Sequence, residues 1–213
     1  MKETKKLRIG YTAEKEPLYR SVEELSSFLI GGFTGTGKSV FLENLLHQVL
    51  RQYGPEDAKV VLIDPKTTEF YYYTEIPHLL VPVIKKCSVA VRLLKKLMSE
   101  TREYPVFVFL DEYMDWVYRK RFIRQVMRVA KAGKKRGVYL FVASQVICPE
   151  FLPENFPTSF DNVAASYTTS DVPSLFLLGE PAATQLARHG EMLLWEKASG
   201  KKTKITFLMY DFD

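Results

Sequence analysis

The chain has 213 residues, 46% hydrophobic, 26% charged and 13% aromatic, which is the composition of one ordinary globular domain and excludes a disordered, collagenous or coiled-coil chain. Its net charge of +5 is concentrated: of 30 Lys and Arg residues, nine fall within residues 119–136 with no acidic residue among them, leaving 21 basic against 25 acidic residues elsewhere. The longest apolar run, residues 105–110, is too short to span a membrane, no apolar stretch follows the charged N-terminus, and two cysteines (Cys87, Cys148) with three scattered histidines (His47, His78, His189) give neither a disulfide framework nor a zinc spacing. A cytoplasmic setting is expected.

Residues 1–26 are polar and of mixed charge, with Leu7-Arg8-Ile9-Gly10-Tyr11 read as a short edge strand. Phe28-Leu29-Ile30 is a brief apolar run ending in glycine. Residues 40–51 place Val40, Leu42, Leu45, Leu46, Val49 and Leu50 at helical spacing, and Gly54-Pro55 stops that helix. Residues 59–63 read as a buried-type strand ending at Asp64. Residues 88–104 read as a helix with Val91, Leu94, Leu97 and Met98 on one side. A second such strand, residues 105–110, ends at Asp111. Residues 119–136 read as a helix closed by Gly137, followed by a strand over 138–142 and another over 162–167. Continuous apolar strands between amphipathic helices require a mainly parallel sheet covered on both faces, an α/β fold. Residues 191–195 and 204–209, joined through Ser199-Gly200, predict a C-terminal hairpin at the sheet edge. The expected organisation is one domain over residues 27–213 with an N-terminal extension or edge segment, residues 1–26.

Gly32-Phe33-Thr34-Gly35-Thr36-Gly37-Lys38-Ser39 matches G-x-x-x-x-G-K-[ST], with a strand before it and a helix after it. In such a loop backbone N–H groups converge on phosphate oxygens and the helix N-terminus faces the same anion. Gly32, Thr34, Gly35, Thr36, Gly37, Lys38, Ser39 and Val40 are the expected nucleotide-binding residues. Lys38 is expected at the β- and γ-phosphates and Ser39 at Mg²⁺. Hydrolysis also needs a second metal anchor and a base for the attacking water. The apolar run ending in Asp111-Glu112 supplies both: Asp111 for Mg²⁺, Glu112 for the water. A glutamate there argues against a GTP switch protein. Asp64-Pro65-Lys66 and Ser144-Gln145 end two further strands on the same side. Gln145 is either a γ-phosphate sensor or ordinary loop polarity, and spacing leaves both open.

These motifs resemble the motor domain of the FtsK/SpoIIIE DNA translocases, relatives of HerA and of conjugative coupling proteins. The likeness is carried by the phosphate loop running into Val40-Phe41-Leu42-Glu43-Asn44-Leu45-Leu46, by Leu62-Ile63-Asp64-Pro65-Lys66 with Glu69, and by Glu75-Ile76-Pro77-His78-Leu79-Leu80 with Pro82-Val83. Leu110-Asp111-Glu112, Gly133-Lys134-Lys135-Arg136-Gly137, Ala143-Ser144-Gln145 and Gly190-Glu191-Met192-Leu193-Leu194 continue it. The resemblance implies a RecA-like P-loop NTPase fold, ATP and Mg²⁺ as cofactors, self-association into a hexameric ring and movement of double-stranded DNA. It also implies a residue reaching the neighbouring subunit's nucleotide. Where the family has arginine for that role this chain has Lys134, a poor substitute for a planar fork, so Arg136 and Arg188 are the other candidates. The family's Thr-Gln-Arg-Pro is here Ser144-Gln145-Val146-Ile147. None of the membrane spans, the preceding domain or the winged-helix domain of cell-division members lies in these residues, so a minimal motor is expected. An ATPase for protein export and a low-turnover, nucleotide-dependent assembly module of a replication or partition complex are the alternatives.

On a helix, Lys120, Arg124, Arg128, Lys131 and Lys135 fall on one stripe opposite Phe122, Ile123, Val126, Val129 and Ala130. Like charges at this spacing repel, and contact with DNA phosphate or with an acidic neighbouring subunit relieves them. Phe70-Tyr71-Tyr72-Tyr73 is a run that can stack on nucleobases, and it is expected rather to pack the loop after Asp64-Pro65-Lys66 or to lie at a subunit boundary.

Overall fold

A computed structural model describes residues 5–145 and 147–207. Residues 1–4 of the N-terminal segment, Val146, and Leu208 and Met209 of the expected hairpin lie outside the described residues. The chain opens with an antiparallel hairpin, β1 (Lys6–Tyr11) and β2 (Pro17–Ser21). There follow β3 (Ser27–Gly31), α1 (Lys38–Gln52), β4 (Lys59–Ile63), α2 (Cys87–Leu97), β5 (Val106–Leu110), α3 (Lys120–Ala132), β6 (Val138–Ser144) and β7 (Asn162–Ser166). After α4 (Asp171–Leu178) the chain closes with β8 (Glu191–Glu196) and β9 (Lys201–Thr206). One nine-stranded sheet results, in the order β2-β1-β9-β8-β7-β3-β6-β5-β4.

The five strands β7, β3, β6, β5 and β4 run parallel, as continuous apolar runs demand. β8 joins β7 antiparallel and β9 completes the expected hairpin. That hairpin borders the parallel part without ending the sheet: Tyr11 of β1 pairs with Thr206 of β9, so β2 holds the outer edge.

Alternation along the strands builds two cores. Phe28, Ile30, Val60, Leu62, Phe107, Phe109 and Phe141 point to the face covered by Phe41, Leu42, Leu45, Leu46 and Val49 of α1. Leu29, Val61, Ile63, Val106, Val108 and Leu140 point to the other, covered by α2, α3 and α4. Phe109 stacks on Phe141 at 4.9 Å and Phe107 on Tyr139 at 5.2 Å. Such pairs contribute about 1 kcal/mol each beyond burial and clamp β5 to β6, the two strands that end in site residues. Among the described residues no helix is long and apolar enough to cross a membrane.

Two expectations need correction, and one helix was not expected. The helix expected over residues 88–104 ends at Leu97, because the Arg102 guanidinium and the Ser99 hydroxyl donate to the carbonyls of Leu97 and Lys96 and close it early. The basic helix ends at Ala132. A Cβ on Gly133 would lie 2.6 Å from the carbonyl oxygens of both Val129 and Val138, so the chain turns there at close quarters, and Lys134–Arg136 form a 3₁₀ turn. Lys135 therefore leaves the helix. The unexpected helix is α4, which escapes a sequence reading because Pro173 lies within it, tolerated in the first turn where an N–H has no intrahelical partner.

Candidate active site

The phosphate loop joins β3 to α1, at the carboxyl end of the parallel strands. Gly32 and Gly37 hold it in shape. Both have positive φ (147° and 97°), and a Cβ would sit 2.0 Å from the Ser166 hydroxyl in the first case and 2.8 Å from the Phe207 ring in the second. Gly37 is also the N-cap of α1, whose first turn has no acidic residue and no side-chain cap. Its free N–H groups and dipole favour an anion. The Thr36 hydroxyl donates to the Phe33 carbonyl (2.9 Å) and lies 2.6 Å from the Ser166 hydroxyl, tying the loop to β7.

Lys38 is almost wholly buried. Its ammonium donates to the Phe33 carbonyl at 2.5 Å. Burial pulls its pKa down to about 8, opposed by the nearby carboxylates of Glu112 and Asp111. A phosphate placed at this loop would supply the counter-charge that one carbonyl dipole does not.

β5 delivers Asp111 and Glu112 beside this loop. The Ser39 hydroxyl donates to Asp111 Oδ2 at 3.4 Å. Asp111 is 1% exposed, and burial, then the charges of Glu112 and Glu69, pushes its pKa up to about 7. A carboxylate left among carboxylates is a place for a cation. Among the described residues no group of three or more His, Cys, Asp or Glu could hold a metal. Mg²⁺ in a nucleotide site takes one or two protein oxygens and fills its octahedron with phosphate and water. Ser39 and Asp111 are the residues that would hold it.

Glu112 sits in the left-handed region (φ 53°), which turns its side chain back over the strand end. Oε1 accepts the backbone N–H of Gln145 at 2.9 Å and Oε2 accepts from Lys66 Nζ at 3.1 Å. Gln145 Oε1 accepts the Thr34 hydroxyl at 3.0 Å. The ends of β5 and β6, the Asp64-Pro65-Lys66 loop and the phosphate loop thus form one hydrogen-bonded set. The motifs do not say that Lys66 reaches Glu112. The only signal was that two strand ends face the same side of the sheet.

Asp64 has a different job from the ligand contact its strand-end position allows. Oδ1 accepts the N–H groups of Lys66 (3.1 Å) and Thr67 (2.7 Å), and Oδ2 those of Glu69 (3.0 Å) and Phe70 (3.2 Å). It builds the loop that carries Lys66. Phe70 and Tyr73 anchor the aromatic run in the core, while Tyr71 and Tyr72 are 64% and 87% exposed.

The remaining candidates lie apart. Lys134 and Arg136 are exposed at the start of β6, and Gln145 lies just past its end, a strand of seven residues away, roughly 20 Å. Neither can serve this chain's own phosphate loop. Arg188 lies over the Tyr167 ring (5.5 Å), and next to it His189 Nδ1 is 2.8 Å from the Gly35 carbonyl. Arg188 thus stands beside its own phosphate loop, a placement no motif announced. Lys120, Arg124, Arg128, Lys131 and Lys135 are all exposed, and Phe122, Ile123, Val126, Val129 and Ala130 are buried.

Comparison with known proteins adds the following. The sequence profile of the FtsK/SpoIIIE family matches residues 2–113. The chain is 26% identical to the DNA translocase FtsK of Staphylococcus epidermidis, over 92% of this chain and 29% of that protein. It is 28% identical to the DNA translocase SftA of Bacillus subtilis, over 92% of this chain and 24% of that one. The chain therefore spans less than a third of the length of these relatives. The pCW3 conjugation coupling protein TcpA, solved with ATPγS, superposes with a TM-score of 0.79 at 18% identity, over 99% of this chain and 68% of that one. The shared fold is that of the P-loop ATPases.

Proposed function

The chain belongs to the FtsK/SpoIIIE family, and from that premise we propose that it is an ATP-hydrolysing motor that moves double-stranded DNA as a ring of subunits, six in the family's pattern. The observation that carries this reading is the convergence of Lys38, Ser39, Asp111, Glu112 and Gln145 at one end of the sheet. In it the loop backbone and Lys38 bind the β- and γ-phosphates, and Ser39 and Asp111 hold Mg²⁺, which neutralises phosphate charge when bound. Glu112 accepts the proton of the attacking water. With Lys66 and the Gln145 N–H on its two oxygens, the carboxylate is held in place, and each oxygen keeps a second lone pair to accept from a water.

The ring is supported by where the remaining cations stand. Lys134 and Arg136 are at the far end of β6 from the chain's own phosphate loop and can act on a nucleotide only in another subunit. Arg136 is the better fit, since its guanidinium matches phosphate geometry as lysine does not. The names of the relatives, both DNA translocases, and the basic stripe of α3 support DNA as the moved substrate. The test is ATP turnover with and without duplex DNA, for the wild type and Glu112→Gln. DNA stimulation that the variant loses is the expected outcome. Turnover indifferent to DNA but raised by an exported peptide would favour the secretion alternative.

A further inference from the structure

A groove of about 1030 Å³ lies between the amino-terminal halves of α2 and α3, on the face of the sheet away from α1. Lys86, Arg92 and Lys95 form one wall. Arg119, Lys120, Arg121 and Arg124 form the other, and no acidic residue lines it. Among the described residues none of these seven takes part in an ion pair. The first turns of both helices also lack Asp and Glu, the side chains that would offset cations at a helix start. Seven unneutralised cations around one concavity repel one another, and an anionic occupant removes that repulsion.

The floor identifies the kind of anion. It is apolar, formed by Val91 and by the Trp116 ring, which the buried Phe122 holds edge-on at 5.1 Å, with the exposed Tyr118 beside them. A DNA duplex offers a convex surface of phosphate and sugar. It can meet the cations on the rim but leaves an apolar floor unfilled. A peptide that carries carboxylates beside aromatic or leucine side chains satisfies both parts at once. We propose that this groove seats an acidic segment of a partner protein, its carboxylates on the two basic walls and its apolar side chains on Trp116 and Tyr118. The distal part of the α3 stripe, Arg128 and Lys131, lies beyond the groove and remains with the polyanion of the motor reading. The proposal goes beyond that reading and does not depend on it.

The test uses the whole chain and a fluorescein-labelled, glutamate-rich peptide with phenylalanine and leucine anchors, read by anisotropy. Controls are the same peptide with serine in place of every anchor, and unlabelled duplex DNA as competitor. The anchored peptide should bind at least about tenfold more tightly than the serine peptide, and excess duplex should not displace it. Arg92→Glu with Lys95→Glu, two exposed changes on the α2 wall, should weaken it by a similar factor and leave ATP turnover unchanged. Trp116→Ala, with folding checked by circular dichroism, should do the same to binding. Three results would overturn the proposal. One is equal binding of the two peptides. Another is displacement by duplex, which would make this a nucleic-acid surface. The last is self-association of the wild type that the α2-wall changes abolish, which would give the groove to a second copy. Absence of ATPase activity in a protein that still binds the peptide would count against the motor reading alone.

Discussion

Asp64 and Asp111 are each 1% exposed at the end of a parallel strand, yet their surroundings are opposite. Asp64 accepts four backbone N–H groups, so its charge is matched by dipoles that cost nothing further to arrange. Asp64→Ala leaves those donors without a partner. Thermal or urea unfolding should show a loss of about 3 kcal/mol, with the Lys66 loop opening first in hydrogen exchange. Asp111 has only the Glu112 N–H and one distant hydroxyl, and faces the Glu112 and Glu69 carboxylates. Its folded-state pKa, pushed up to about 7, lies above that of an unfolded aspartate, so the folded protein binds the extra proton. Stability without nucleotide should therefore fall as pH rises from about 4 to about 7. Asp111→Asn removes that loss, and in the metal-free, nucleotide-free protein the variant should be the more stable by on the order of 2 kcal/mol at neutral pH and equal to wild type near pH 4. The same change should abolish stabilisation by ATP with Mg²⁺. A variant less stable than wild type at neutral pH would show that Asp111 is already satisfied by contacts other than those described. The phosphate loop and Asp111-Glu112 were legible in the sequence because each is a contiguous motif whose backbone context can be checked locally. The bonds Lys66–Glu112, Thr34–Gln145 and His189–Gly35 were not, since each joins segments that only the sheet order brings together.

At the scale of elements, the parallel strands were legible because every one is apolar on both faces. Their neighbours fixed what local pattern could not. α2 stops where Arg102 and Ser99 reach its last carbonyls, and α3 stops where Gly133 packs between the Val129 and Val138 carbonyls. Gly133→Ala places a methyl group 2.6 Å from both oxygens and should cost about 2 kcal/mol in unfolding free energy, despite the higher helix propensity of alanine. A neutral or stabilising effect would mean the turn has room that the geometry denies. The stripe on α3 gives a separate prediction. Arg128→Glu with Lys131→Glu should weaken duplex binding, and each lost phosphate contact should reduce the slope of log affinity against log salt by about 1. If the assembly falls apart before DNA affinity changes, the stripe is a subunit contact.

For the whole molecule, a mild excess of positive charge becomes a statement about one helix. Outside residues 119–136 acidic residues outnumber basic ones, and the excess is spent at three places: the wall of the α2–α3 groove, the stripe beyond it, and the Lys134–Arg136 turn at the end of β6 remote from the nucleotide loop. A single chain therefore carries a hydrolytic set at one end of its sheet and the exposed Lys134–Arg136 turn at the other, the arrangement expected of subunits that complete one another's sites. The most direct measurement of this account is the ATP turnover of the chain with duplex DNA, recorded together with particle mass by light scattering in ATP. DNA-stimulated turnover in a multimer, lost in Glu112→Gln while the multimer persists and lost in Arg136→Ala with nucleotide binding intact, is the predicted result. A monomer that hydrolyses ATP at full rate, unaffected by DNA and by Arg136→Ala, would contradict it.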